Sequence, residues 1–179
     1  MESVDINNYL ILNEKLAFIN GYLNSIAILN TIPNNVMEHW LIDLGVIEED
    51  LDTTFKKGIQ APNWTFKATE ISNWQKVIDD ECYYFFSEVL YKIQGSKAYY
   101  ESKGRQFDLM EKYNLEHQLK YFIKMLENLF SFCKLKTVYR VDIDNKEDWY
   151  NPYFAHGEYN YAFEIESKRI IHLHFGAWD

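Results

Sequence analysis

Glycine, proline and cysteine are all scarce in this 179-residue chain, at 7, 3 and 2 residues. So few turn-formers, with no Gly/Ser/Pro-rich stretch, exclude collagen-like, linker-like and low-complexity organisation. The glycines stand at 21, 45, 58, 95, 104, 157 and 176, and form neither a phosphate-cradling loop nor a dinucleotide fingerprint. Cys82 and Cys133 are too few and too far apart for a disulfide scaffold or a thiolate zinc site, and each reads as a reduced core residue. No apolar run approaches the ~20 residues of a membrane-spanning helix. Positive charge is also short, with 18 Lys and Arg against 27 Asp and Glu and a formal net charge of −9. That balance argues against nucleic acid as a partner, because phosphate binding needs clustered base.

What the chain has in quantity is apolar and aromatic side chains, 47% and 17% of the total. The length matches one domain with a sizeable core. Periodicity supplies the organisation: helices first, strands last. Leu12, Leu16, Ile19, Leu23 and Ile26 recur at steps of four and three, predicting a first helix from about Asn8 or Asn13 to Asn30. Gly21 inside it costs about 1 kcal/mol relative to Ala, which suggests close packing or a bend. Pro33 restarts the chain, and Val36, Trp40 and Leu44 predict a short second helix stopped by Gly45. Residues 47–71 have a poor pattern, with Leu51 and Phe55 hinting at a helical turn. Ser72-Asn73-Trp74-Gln75 is a capping box opening a further helix, lined by Ile78, Cys82, Phe85, Val89 and Ile93. Asn114 opens another, with Leu115, Leu119, Phe122, Leu126, Leu129 and Cys133 inward.

After Lys134 the period becomes two. Residues 137–143, 159–166 and 169–175 read as strands. A two-residue turn at Ser167-Lys168 would set Ile165 opposite Ile170, Phe163 opposite His172 and Tyr161 opposite His174. The expected fold is therefore α+β: one domain over 1–179, with four or five helices in 1–134 packed on a small antiparallel sheet or hairpin in 135–179.

Chemistry-bearing patterns are sparse. His172-Leu173-His174 places two imidazoles on one side of a strand, a geometry that can chelate a metal if a third ligand converges. Asp142 is the first candidate, with Asp144, Glu164, Glu166 and His156 behind it. Asp142 and Asp144 beside Asn145 lack the glycine and closing glutamate of a calcium loop. There is no nucleophile elbow and no local cysteine signature, so no catalytic residue and no cofactor is assigned. Asn63-Trp64-Thr65 fits the glycosylation tripeptide, which matters only in a secreted chain. Met1 to Asp5 carries acid where a secretory signal carries positive charge, so the expected location is the cytoplasm.

Charge is uneven. Residues 1–52 hold nine acidic side chains and one basic, Lys15, and Glu48, Glu49, Asp50 and Asp52 form the densest spot. Trp149, Tyr150, Tyr153 and Phe154 crowd one connection between strands. Carboxylates that steer and aromatics that anchor are what a protein interface uses. In general character, a compact, acidic, aromatic-rich chain of this kind resembles the immunity proteins with which bacteria neutralise toxins. That resemblance implies a cytoplasmic binding module that occludes a basic enzyme; it marks no particular residue, and the eight named above are the expected contact on the charge and aromatic argument alone. The other readings are a small-ligand protein or enzyme using His172 and His174 with a carboxylate, and a homo-oligomer joined through the aromatic connection.

Overall fold

The computed structural model describes residues 6–30, 36–84, 109–144 and 158–178. In chain order the elements are α1 (Ile6–Asn30), β1 (Val36–Val46), α2 (Leu51–Ile59), β2 (Thr65–Glu70), α3 (Trp74–Tyr84), α4 (Leu109–Cys133), β3 (Leu135–Asp144), β4 (Glu158–Ile165) and β5 (Arg169–Trp178). The fold is α+β, with helices mostly N-terminal and one five-stranded sheet in the order β1-β5-β4-β3-β2, antiparallel throughout.

Two strands come from the half expected to be helical. Val36, Trp40 and Leu44 lie on β1, not on a second helix. A spacing of four is shared by both periodicities, so those three residues could not decide between them. Ile42 decides it, because it extends the set to Trp40, Ile42, Leu44 at steps of two while Leu41 is fully buried on the opposite side. Gly45 does not end a helix. It sits at φ +105° in a bulge of β1, its N–H donating to the Asp43 carboxylate at 2.9 Å. The poorly patterned stretch holds α2 and β2. β2 is an edge strand with one buried residue, Phe66, and so carries no alternation to read. Gly58 lets α2 seat on β1, since a Cβ there would approach the Leu44 side chain to 2.8 Å.

One face of the sheet is covered by α1, α3 and α4. Leu12, Leu16, Ile19 and Leu23 of α1, Ile78 of α3 and Leu119, Phe122, Leu126 and Leu129 of α4 meet Leu41, Val138, Tyr161, Phe163, Leu173 and Phe175. Phe163 stacks on Phe130 at 4.3 Å and meets Trp74 edge-on. The predicted stripes of α1 and α4 are thus the core wherever their side chains are described, and α4 begins at Leu109, ahead of Asn114. A helix follows the predicted box, but it starts at Trp74, one residue later than a Ser72 cap would set it, with Val77 N–H bonded to Asn73 O at 3.1 Å. Of its stripe the Ile78 side chain is described and buried, and those from Cys82 on are outside the described side chains. The other face is covered in part by α2, where Phe55 packs with Phe66, Val141, Ala162 and Ile170.

Edge strand β1 is closed by a side chain. Asn20 of α1 donates to the Leu41 carbonyl and accepts from the Leu41 N–H, both at 2.8 Å, so its amide occupies the positions a neighbouring strand would take.

Candidate functional site

The β4–β5 turn sets the geometry around the two imidazoles. Three residues connect the strands, not two: Glu166, Ser167 and Lys168, with Lys168 left-handed at φ 56° and its N–H bonded to Ile165 O at 2.9 Å. The extra residue shifts the register by one. Ala162, not Phe163, stands opposite His172, and Asn160, not Tyr161, opposite His174. Because faces alternate, Tyr161 and Phe163 go to the helical side and the imidazoles share the other face with Asn160.

Hydrogen bonding there fixes each tautomer in turn. The Trp40 indole, a donor only, donates to His172 Nδ1 at 3.0 Å, so that nitrogen carries the lone pair. His172 Nε2–H then donates to Asn160 Oδ1 at 3.0 Å, and the same oxygen accepts from His174 Nδ1–H at 2.8 Å. One amide oxygen uses both lone pairs on two rings. Trp40 also stacks on His174 with centroids 3.9 Å apart, and Phe55 meets His172 edge-on at 5.0 Å. His172 is wholly buried, and burial, followed by the neighbouring His174, holds its pKa well below the ordinary 6.5. It is neutral at pH 7.

The carboxylates proposed as a third ligand do not converge with these rings. Asp142 shares the face of Arg140, opposite Tyr161, on the far side of the sheet from His172 and His174, and it is exposed. Asp144 pairs with Lys67 and Glu166 with Lys134. Glu164 accepts from the Tyr139 hydroxyl at 3.4 Å. His156 lies outside the described residues. Among the described residues no three His, Cys, Asp or Glu side chains are grouped so as to hold a metal ion.

The acidic run is largely tied into its own fold. Asp50 is the N-cap of α2, accepting from Thr53 N–H at 2.7 Å. Asp52 accepts from Phe66 N–H at 2.8 Å and pairs with Lys56, and these bonds hold its carboxyl below the usual range against the opposing effect of desolvation, the largest single influence. Glu48 pairs with Lys57, and Glu49 is exposed. The structure therefore brings these four together around the start of α2, with a structural task for three of them. Trp149, Tyr150, Tyr153 and Phe154 lie outside the described residues. Cys133 is a free, half-buried thiol, pushed up to about 11 by burial.

A different surface was missed. The exposed large hydrophobics among the described residues are Tyr9, Leu10, Ile11 and Phe18 on α1, Tyr121 and Phe132 on α4, and Val46. All but Val46 belong to two helices packed side by side. Phe18, 63% exposed, borders an open groove of about 290 Å³ lined by Glu14, Lys15, Ile19, Met125 and Leu129. Tyr121 packs edge-on against Tyr22, and the Lys15 ammonium lies over the Phe132 ring at 5.1 Å. The signal was present in the sequence, since α1 has only two charged residues, Glu14 and Lys15, in 25. A surface helix normally carries a polar outer face.

No family model and no curated protein matches the chain. Among solved structures, a crystal structure of citrus MAF1 is similar over 92% of this chain and 97% of its own, with 17% identity and a TM-score of 0.46. A likeness that loose transfers no function. No helix among the described residues is long and apolar enough to cross a membrane.

Proposed function

We propose that this chain is a protein-binding module whose contact is made by the outer surface of α1 and α4. The observation that carries this reading is the concentration of exposed Leu10, Ile11, Phe18, Tyr121 and Phe132 on those two adjacent helices. Large apolar side chains exposed together on neighbouring helices are characteristic of interaction sites, because exposing them to water is unfavourable and covering them is worth roughly 25 cal/mol per Å². What supports binding over small-ligand chemistry at His172 and His174 is that three of their four ring nitrogens already serve Trp40 and Asn160.

The narrower form of the proposal is a cytoplasmic inhibitor of the immunity kind that occludes a basic enzyme. A net charge of −9 supports it, because long-range steering needs no individual carboxylate to be free. Glu49 is the member of the acidic run with no described task in the fold, and so the one best placed to meet a partner cation.

The test is capture of partners from the source cell by the wild-type chain, by Phe18→Asp and by Glu49→Lys, each at two salt concentrations. A specific partner retained by the wild type and lost with Phe18→Asp supports the contact face. Loss on raising salt, or with Glu49→Lys, adds the basic-partner form. A partner set that Phe18→Asp leaves unchanged would remove α1 and α4 from the account.

A further inference from the structure

The apolar surface of α1 and α4 sits on an acidic molecule, yet α1 itself contributes one negative and one positive side chain, Glu14 and Lys15, and no net charge. A basic partner would be drawn to the carboxylates elsewhere, and nothing on α1 rewards its excess cations. A second copy of this chain has the opposite requirement. Two molecules each at −9 repel, and across a two-fold axis every charged group approaches a surface identical to its own. A patch without net charge adds nothing to that repulsion, and α1 is such a patch. Its 25 residues run about 37 Å, long enough for a contact of ordinary dimer size once α4 flanks it.

The middle of that helix carries a second feature. Helical periodicity sets Ala17, Gly21 and Ser25 on one line of the outer face beside Phe18, and all four are exposed. A Cβ added at Gly21 would meet nothing within 4 Å, so the packing among the described residues gives no reason for glycine there. The Ser25 hydroxyl donates to the Gly21 carbonyl at 2.9 Å and so presents no unspent donor to an incoming surface. A glycine track flanked by exposed apolar side chains is what lets a second helix backbone approach closely.

Resting on the contact face of the proposed function, and replacing its basic-enzyme form, we infer that the occupant of that face is a second copy of this chain, with α1 crossing the partner's α1 near Gly21 and Phe18 packing across the two-fold. An antiparallel crossing there keeps the two Glu14 carboxylates about 20 Å apart along the helices, so the one acid on the face does not meet itself.

Sedimentation and light scattering across a wide concentration range test this, with Gly21→Ala and Phe18→Asp alongside the wild type. The wild type is expected to reach twice its 21.5 kDa mass. Phe18→Asp should remain monomeric with an unchanged helical spectrum. Gly21→Ala should raise the melting temperature of the monomer, since alanine favours the helix, yet weaken the dimer at least 10-fold by holding the helices apart. That opposition of signs separates a crossing at Gly21 from a general loss of fold. A wild type that stays monomeric throughout, or a dimer that both substitutions leave intact, overturns the inference. If the monomeric chain still captures a different protein in a Phe18-dependent way, the contact face stands and only its occupant was wrong. If Phe18→Asp alters neither property, both proposals fall.

Discussion

The two faces of the sheet solve the same burial problem by different chemistry. On the side of α1, α3 and α4, Phe163, Leu173 and Phe175 interdigitate with helical side chains and contain no polar atom needing a partner. On the side of α2, the equivalent layer includes Trp40, Asn160, His172 and His174, and burial is tolerated because one amide oxygen serves both rings and the indole serves a third nitrogen. The first face depends on volume, and neighbouring apolar residues can compensate for one another. The second depends on a chain of donors and acceptors that works in one protonation state only.

Substitutions can break that contrast from either side. The largest effect is expected from Phe163→Ala, which empties a fully buried ring site between Phe130 and Trp74 and should cost about 3–5 kcal/mol in urea denaturation. Asn160→Leu keeps the volume but removes the acceptor shared by two ring N–H groups. At roughly 1–3 kcal/mol for a buried polar group deprived of its partner, a loss of about 2–4 kcal/mol is expected in the same assay. A loss below about 1 kcal/mol would mean that packing alone holds this face as well.

These two faces were unequally legible in the sequence. The stripes of α1 and α4 announce themselves because Leu12, Leu16, Ile19 and Leu23, and Leu119, Phe122, Leu126 and Leu129, fit no other period. That His172 and His174 share a face follows from their spacing alone. Their partner Asn160 does not, because it depends on a register set by Lys168 in a left-handed conformation, where glycine or asparagine would have marked the turn. β1 hid behind a spacing of four, and β2 behind a single buried residue. The acidic run was visible as a cluster, but the capping task of Asp50 and the bond from Phe66 to Asp52 emerge only when α2 and β2 are placed.

Smaller perturbations sharpen the comparison. Asp50→Ala removes the N-cap of α2, the only described helix over the imidazole face, and should cost about 1 kcal/mol in thermal unfolding. The smallest change is expected on first lowering the pH below 7. His172 is neutral when folded, with its pKa depressed by burial, and takes up a proton near 6.5 when unfolded. Its contribution is therefore intact above 6.5 and is lost as the pH falls from there towards the depressed folded value. His39, also lowered by burial, acts in the same direction. Protonation of His172 would set an N–H against the Trp40 N–H, so the loss should fall on the α2 side. Unfolding free energies measured from pH 7 to 5.5 should decline with pH, with a shallower slope in His172→Gln. An equal slope in that variant would assign the effect to His39 or to another group.

The pairing of Val36 with Trp178 joins the earliest strand to the last one made. β1 must wait through more than a hundred residues of synthesis before β5 arrives, and β5 is also the strand that connects β1 to β4. Until then the nascent chain holds an apolar strand with no neighbour on either edge. Asn20, made only a few seconds earlier at ribosomal speeds, can shield one of those edges from the moment α1 folds. Removing its amide should therefore show up less in the equilibrium stability of the finished protein than in the fraction of newly made chains that aggregate before completion.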